Sequence, residues 1–131
     1  MISNSIRNKL IVSIIVFSVD YIWLKFYSNV YGDRIEKVQK EKLKVKYIPV
    51  VICYTVMLAG LNYIMNIKSK PKDMNDAIKR GAIFGFVSYT ILNSTNMAIF
   101  KEWDEKISLV DTTWGTILNG LAGGLYFYFG I

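Results

Sequence analysis

The 21 residues from Tyr47 to Ile67, YIPVVICYTVMLAGLNYIMNI, carry no charged side chain. Two further runs share this property, 20 residues from Gly81 to Phe100 and 20 from Thr112 to Ile131. A helix needs about 20 residues to cross the hydrocarbon core of a bilayer, where only helices and closed barrels satisfy their backbone groups. The runs lack the alternation of a barrel strand and are about twice as long. They therefore predict three membrane-spanning helices.

A fourth span is predicted near the N-terminus, where Leu10 to Leu24 is apolar except for Asp20. No small-residue cleavage pattern follows this stretch, which favours a retained helix over a signal peptide. A soluble bundle is the alternative for all four segments, but its helices should carry charged outer faces, and three of these have none. The sequence predicts an all-α, four-helix transmembrane bundle. Residues 1–131 form a single polytopic domain, with helices at about 8–27, 47–67, 77–100 and 107–129.

The net charge of +6 comes from basic residues between the predicted spans, including a linker predicted at 28–46. These residues meet lipid headgroups, so the expected partner is the bilayer and not nucleic acid. We call the N-terminal side of the bundle side A and the opposite side B. Seven basic residues lie on side A and nine on side B, which is too even to orient the protein. We expect a multi-pass protein, of the cell membrane if the source is prokaryotic.

Two ionisable side chains, Asp20 and Asp111, lie at membrane depth, where each costs about 2.5–3.5 kcal/mol on insertion scales. Helix geometry places both a turn or two beneath side B. Polar groups of membrane helices normally face the bundle interior, so all four helices are predicted to contribute to one layer. The predicted ligand, ion or proton site is Asp20, Trp23, Tyr54, Asn93, Thr95, Asn96, Asp111 and Trp114. Trp23 and Trp114 fit an interfacial aromatic belt equally well, and Trp103 is interpreted as an interfacial anchor.

Small residues recur at four-residue spacing, which lets helix backbones approach closely within a membrane. The predicted packing positions are Gly81, Gly85, Gly115, Gly120 and Gly124. Cys53 is the only cysteine, so no intramolecular disulfide is possible. The chain has no histidine, which removes the usual general base and the commonest zinc ligand. We expect no metal and no cofactor.

These residues also carry a family resemblance, and its specific part is the pairing of Asp-x-x-Trp at Asp20 with Asp-x-x-Trp-Gly at Asp111. The further matching positions are Leu24, Tyr31, Tyr54, Gly60, Gly81 to Gly85, Tyr89, Thr95, Asn96 and Lys101 to Trp103. The chain resembles the domain-of-unknown-function family 2177, which comprises mostly bacterial four-helix membrane proteins. The resemblance supports the four spans and implies that Asp20, Trp23, Thr95, Asn96, Asp111, Trp114 and Gly115 are signature positions. Where the family pattern has an aspartate in the third helix, this chain has Asn93.

Three functions are compatible with the predicted layer. Two carboxylates in a low-dielectric layer seldom both stay ionised, which favours binding or transport of a proton, a cation or a small polar molecule. Four helices are few for a transporter, so that hypothesis predicts a homo-oligomer. An equally open alternative is a structural or accessory protein whose polar layer only holds the helices together. A membrane enzyme acting on a lipid or another apolar substrate is less favoured, because no catalytic motif accompanies the aspartates and no catalytic residue is identified.

Overall fold

The computed structural model describes residues 3–131, and it arranges them in four α-helices joined by short links. The helices are α1 (Asn4–Gln39), α2 (Tyr47–Asn66), α3 (Met74–Ile99) and α4 (Glu105–Tyr128). No strand occurs within the described range. The all-α, four-helix fold class is confirmed.

Helix α1 continues to Gln39, so the linker predicted from residue 28 was wrong over its first part. The charged residues after position 28 are unfavourable in hydrocarbon, but they do not prevent a helix. Proline is absent from this part of α1, and Tyr31, Ile35 and Val38 recur at helical spacing. The helix ends at Lys40, whose left-handed backbone (φ 58°) lets its N–H donate to the Glu36 carbonyl. At 1.5 Å per residue, α1 is about 54 Å long and exceeds the roughly 30 Å hydrocarbon core.

Helices α3 and α4 form the most extensive contact in the bundle. Glycine makes this contact possible, because a Cβ on Gly81 would overlap the Asn119 carbonyl oxygen and a Cβ on Gly85 would overlap that of Gly115. Gly123 lies against the Ala77 backbone in the same way.

The other two predicted packing glycines, Gly120 and Gly124, border this seam more loosely. A Cβ on Gly120 would lie 3.5 Å from the Ala82 Cβ, which is ordinary contact, and a Cβ on Gly124 would lie 3.2 Å from the Ile78 side chain. The seam therefore follows the helical face of Gly115 and Gly123, and Gly120 and Gly124 lie at its edge.

The outer surface of the bundle is apolar along all four helices. Large side chains point outward, among them Phe26 (83% exposed), Ile48 (76%), Ile91 (63%) and Leu109 (70%). Soluble monomers rarely expose apolar patches of this extent, whereas lipid tails would cover them. Helices α1 and α2 are long and apolar enough to cross a membrane. Helices α3 and α4 carry more polar side chains, several of which lie between the helices.

Among residues 3–131, two ion pairs lie at opposite ends of the bundle. Arg80 pairs with Asp76 at 3.0 Å and donates to the Ser69 carbonyl just beyond the end of α2. At the other end, Arg34 of α1 pairs with Asp104 at 2.5 Å, and Asp104 also caps α4 by accepting from the Ile107 amide. The Ile107 amide and the Arg34 guanidinium hold the pKa of Asp104 below its usual range, so this ion pair persists at neutral pH.

Candidate functional site

Asp20 is buried between three helices. The side chains of Val12, Val16 and Asp20 follow one another at four-residue spacing along α1, and all three are at most 6% exposed. This spacing turns the carboxylate inward from α1. The Tyr54 hydroxyl of α2 donates to Oδ2, and the Trp114 indole Nε1 of α4 donates to Oδ1 at 2.8 Å. Asp20 therefore connects α1, α2 and α4, and each of its oxygens accepts a hydrogen bond.

Asp111 forms a second centre at the level of the α1 extension. The Tyr31 hydroxyl donates to its Oδ1 at 2.9 Å, and the Asn93 side-chain amide donates to Oδ2 at 2.7 Å. Asn93 is 2% exposed, and its own oxygen accepts from the Trp103 indole at 3.0 Å. This second centre connects α1, α3 and α4, and Trp103 fixes the orientation of the amide.

A stack of aromatic rings joins the two centres. Trp114 lies parallel to Trp23, with ring centroids 4.4 Å apart and planes 7° apart. Trp23 stacks on Tyr27 at 4.4 Å, and Tyr27 contacts Tyr31, which reaches Asp111. The Trp23 Nε1 is buried and has no hydrogen-bond partner in the described part of the chain. The carboxylates thus belong to one continuous layer, but they are separated by aromatic rings.

Every side chain that donates to the two carboxylates is uncharged. Over residues 3–131 the salt bridges are those of Arg34 with Asp104 and Arg80 with Asp76, and neither includes Asp20 or Asp111. In the same range, no three histidine, cysteine or acidic residues converge in a group that could hold a metal. The layer therefore holds one buried carboxyl group, Asp20, and one half-buried carboxyl group, Asp111, without a basic counter-charge from the described chain.

The amino-acid sequence shows the family to which this chain belongs. The family model DUF2177, described as a predicted membrane protein, matches residues 6–128. The chain belongs to the DUF2177 family. The match confirms the resemblance drawn from the paired Asp-x-x-Trp motifs, and it shows a membrane protein with a lipid environment. No curated protein and no solved structure matches the chain.

Two predicted site residues of this DUF2177 protein lie outside both centres. Thr95 is exposed, and its hydroxyl donates to the Ile91 carbonyl of its own helix. Asn96 is half-buried and does not hydrogen-bond to either carboxylate within the described residues. Thr95 follows Asn93 by two positions, which rotates it about 200° to the far side of α3.

Two residues of the second centre were absent from the predicted site, although both are among the positions that carry the family resemblance. Tyr31 was assigned to a linker, although it lies eleven residues after Asp20, just over three helical turns and hence on the same face. Trp103 was interpreted as an interfacial anchor, although it also bonds to Asn93. Extending the heptad of Ser13, Asp20 and Tyr27 by one further turn would have identified Tyr31.

The polar layer borders a cavity through its aromatic stack in this DUF2177 protein. Neither Asp20 nor Asp111 lines any of the four principal cavities found among the described residues. A cavity of about 390 Å³ lies nearby, between α1 and α4, and Tyr27 of the aromatic stack forms part of its wall. The polar layer therefore borders this groove through Tyr27 of the aromatic stack.

Proposed function

We propose that this DUF2177 protein crosses the bilayer four times, with both ends on side A. Helices α2, α3 and α4 contain 20, 26 and 24 residues, each enough for about 30 Å of hydrocarbon. The antiparallel hydrogen bonds between α1 and α4, from Asn8 to the Phe129 carbonyl and from Tyr31 to Asp111, support this arrangement. A multi-pass protein of the cell membrane fits the bacterial bias of the family.

The four-span topology predicts the labelling of single cysteines by a membrane-impermeant maleimide. Cysteines are introduced at Ser5, Lys40, Lys70 and Glu102 in a Cys53→Ser background, because these four positions are exposed at helix ends. In intact vesicles, positions 40 and 102 are expected to react from one side and positions 5 and 70 from the other. Reaction of positions 40 and 70 from the same side would contradict the four spans.

We further propose that the layer binds a proton or a small cation. The observation that carries this proposal is that Asp20 is buried, Asp111 is half-buried, and both are held by neutral donors. Two ionised carboxylates in a medium of low dielectric constant are costly unless a positive charge accompanies them. Because the described residues supply no basic partner, the charge has to come from outside.

The hydrogen-bond partners suit a change of protonation. Each carboxyl group has one partner that only donates, the Trp114 indole or the Asn93 amide nitrogen. Its other partner is a tyrosine hydroxyl, Tyr54 or Tyr31, which is able either to donate or to accept. A protonated aspartate would donate to the tyrosine oxygen, so every bond is kept in both states.

The experiment measures the unfolding midpoint in detergent as a function of pH and of added sodium, potassium or ammonium. A ligand that binds the folded state raises its stability. Wild type is expected to gain up to about 1.4 kcal/mol per unit fall in pH for each extra proton that the folded state holds. The Asp20→Asn, Asp111→Asn variant should lose this gain, since two amides need no positive charge.

The matched control for this experiment is Glu105→Gln, which removes an exposed carboxylate from the same helix as Asp111. It is expected to keep the wild-type response to pH and cations. If the double variant responds as wild type does, the layer binds neither protons nor cations and the proposal fails.

A structural or accessory role is the second candidate, and the interhelical hydrogen bonds of the layer favour it. Four interhelical bonds to two carboxylates join all four helices without any ligand. The Asn variants separate the two roles, because an amide still accepts from Trp114 or Asn93 and donates to tyrosine. A purely structural layer predicts unchanged stability and no altered cation response. If the protein transports the proton or cation, we propose that it forms a homo-oligomer, because four helices are few for a transport path.

A further inference from the structure

The groove beside the polar layer is lined on α1 by side chains that change from apolar to charged along its length. The cavity measures about 390 Å³ and opens between the C-terminal part of α1 and the start of α4. Along α1, Phe26 and Val30 line its end nearer the membrane centre, and Asp33 and Arg34 line its end nearer side B. The wall therefore changes from apolar to charged over about two helical turns.

The wall on α4 shows the same gradient although α4 runs in the opposite direction. Asp104 and Lys106 line the side-B end of the groove, and Ile107 and Val110 line the end nearer the membrane centre. Because both walls change from charged to apolar at the same level, the groove matches an amphiphile that stands upright in the side-B leaflet.

The side-B end of the groove carries equal numbers of acidic and basic side chains, and some of them form no salt bridge among residues 3–131. Arg34 donates through Nη2 to Asp104 at 2.5 Å, yet its Nε is buried and has no hydrogen-bond partner among residues 3–131. Asp33 and Lys106 belong to no salt bridge in that range. One free acid and one free base are therefore available at the mouth of the groove, beside the Arg34–Asp104 ion pair.

We propose that this groove binds a zwitterionic phospholipid, with its phosphate at Arg34 and Lys106 and its headgroup ammonium at Asp33. Phosphate accepts hydrogen bonds from guanidinium and ammonium donors, and the carboxylate pairs with the headgroup ammonium. The acyl chains run past Phe26 and Val110 into the bilayer. The inference rests on the proposed four spans, which put this end of α1 at a membrane surface.

The test is native mass spectrometry of the full-length protein in detergent, with equal amounts of phosphatidylethanolamine, phosphatidylglycerol and diacylglycerol. Phosphatidylethanolamine is expected to stay bound best and diacylglycerol least. Lys106→Gln should weaken phosphatidylethanolamine binding by up to about fivefold, the effect of one partly exposed charge pair. Asp33→Asn should remove the preference for phosphatidylethanolamine over phosphatidylglycerol.

Two further variants separate a seated lipid from adventitious detergent-like binding. Val30→Trp fills the groove without changing a charge and should abolish the adduct, whereas Lys37→Gln removes an exposed basic residue of α1 outside the groove and should leave it. If Val30→Trp unfolds the protein, Lys106→Gln and Asp33→Asn decide alone. Equal retention of all three lipids, or equal losses in Lys106→Gln and Lys37→Gln, would overturn the proposal. Neither outcome affects the cysteine labelling, which tests the four spans separately.

Discussion

Replacing Gly85 with alanine is expected to destabilise the protein by about 3 kcal/mol, near the upper end of what overpacking costs. The added Cβ would overlap the Gly115 carbonyl oxygen and press on the Asn119 side chain. Because the obstacle includes backbone, neither atom escapes by a change of rotamer. Helices α3 and α4 would have to separate, and the seam that positions Asn93 against Asp111 would open. The measurement is the thermal unfolding midpoint in detergent, followed by circular dichroism.

Gly120→Ala is the matched control, since Gly120 lies on the same pair of helices in a looser position. Its Cβ would make only ordinary contact with Ala82, at 3.5 Å. An alanine favours a helix over glycine by about 1 kcal/mol, so this variant should be neutral or slightly stabilised. Equal losses in the two variants would show that the close seam is not what holds α3 to α4.

Asn93→Asp is expected to make stability depend steeply on pH. The variant replaces the amide that donates to Asp111 with a second carboxyl group at the same place. When one of the two groups holds a proton, the bond to Asp111 is restored. When both are ionised, two charges about 4 Å apart repel by about 4 kcal/mol at an effective dielectric constant of about 20.

The direction of this pH effect follows from proton linkage. The folded variant holds a proton that the unfolded chain releases at neutral pH, so its stability should fall as pH rises. Asn93→Leu is the control, because it also removes the bond to Asp111 and adds no charge. Its stability should fall less steeply with rising pH than that of Asn93→Asp. Parallel pH profiles for the two variants would show that Asn93 and Asp111 do not share an enclosed site.

The four helices could be predicted because a charge-free run long enough to cross a membrane seldom adopts a structure other than a helix. The extent of α1 could not be predicted from the same signal, since charge marks where hydrocarbon ends and not where a helix ends. The segment after Tyr27 is helical because Tyr31 and Arg34 find partners on α4, and those partners lie 70 to 80 residues away in sequence. The helical spacing of the segment is visible in the sequence, but its partners on α4 are visible only in the tertiary structure.

The two acidic residues of the candidate site could be predicted from the sequence, but only some of their hydrogen-bond partners could. Asp20 and Asp111 stand out at membrane depth, and Tyr54, Asn93 and Trp114 lie on inward faces at the same level. Trp103 was assigned to the interface because a tryptophan at a turn commonly lies there. Its indole nitrogen nevertheless reaches Asn93, since α3 ends at Ile99 and the link to α4 folds back over the helix end.

The central claim is that the layer of Asp20 and Asp111 carries a positive charge from outside. Infrared spectroscopy of protein labelled with ¹³C-aspartate tests it most directly, because protonated and ionised carboxyl groups absorb at different frequencies. At neutral pH and without added cations, exposed aspartates are ionised. Wild type should then show a protonated aspartate band that disappears in Asp20→Asn, Asp111→Asn and shrinks when a binding cation is added. If both carboxyl groups are ionised at neutral pH and added cations do not alter their bands, the claim is contradicted.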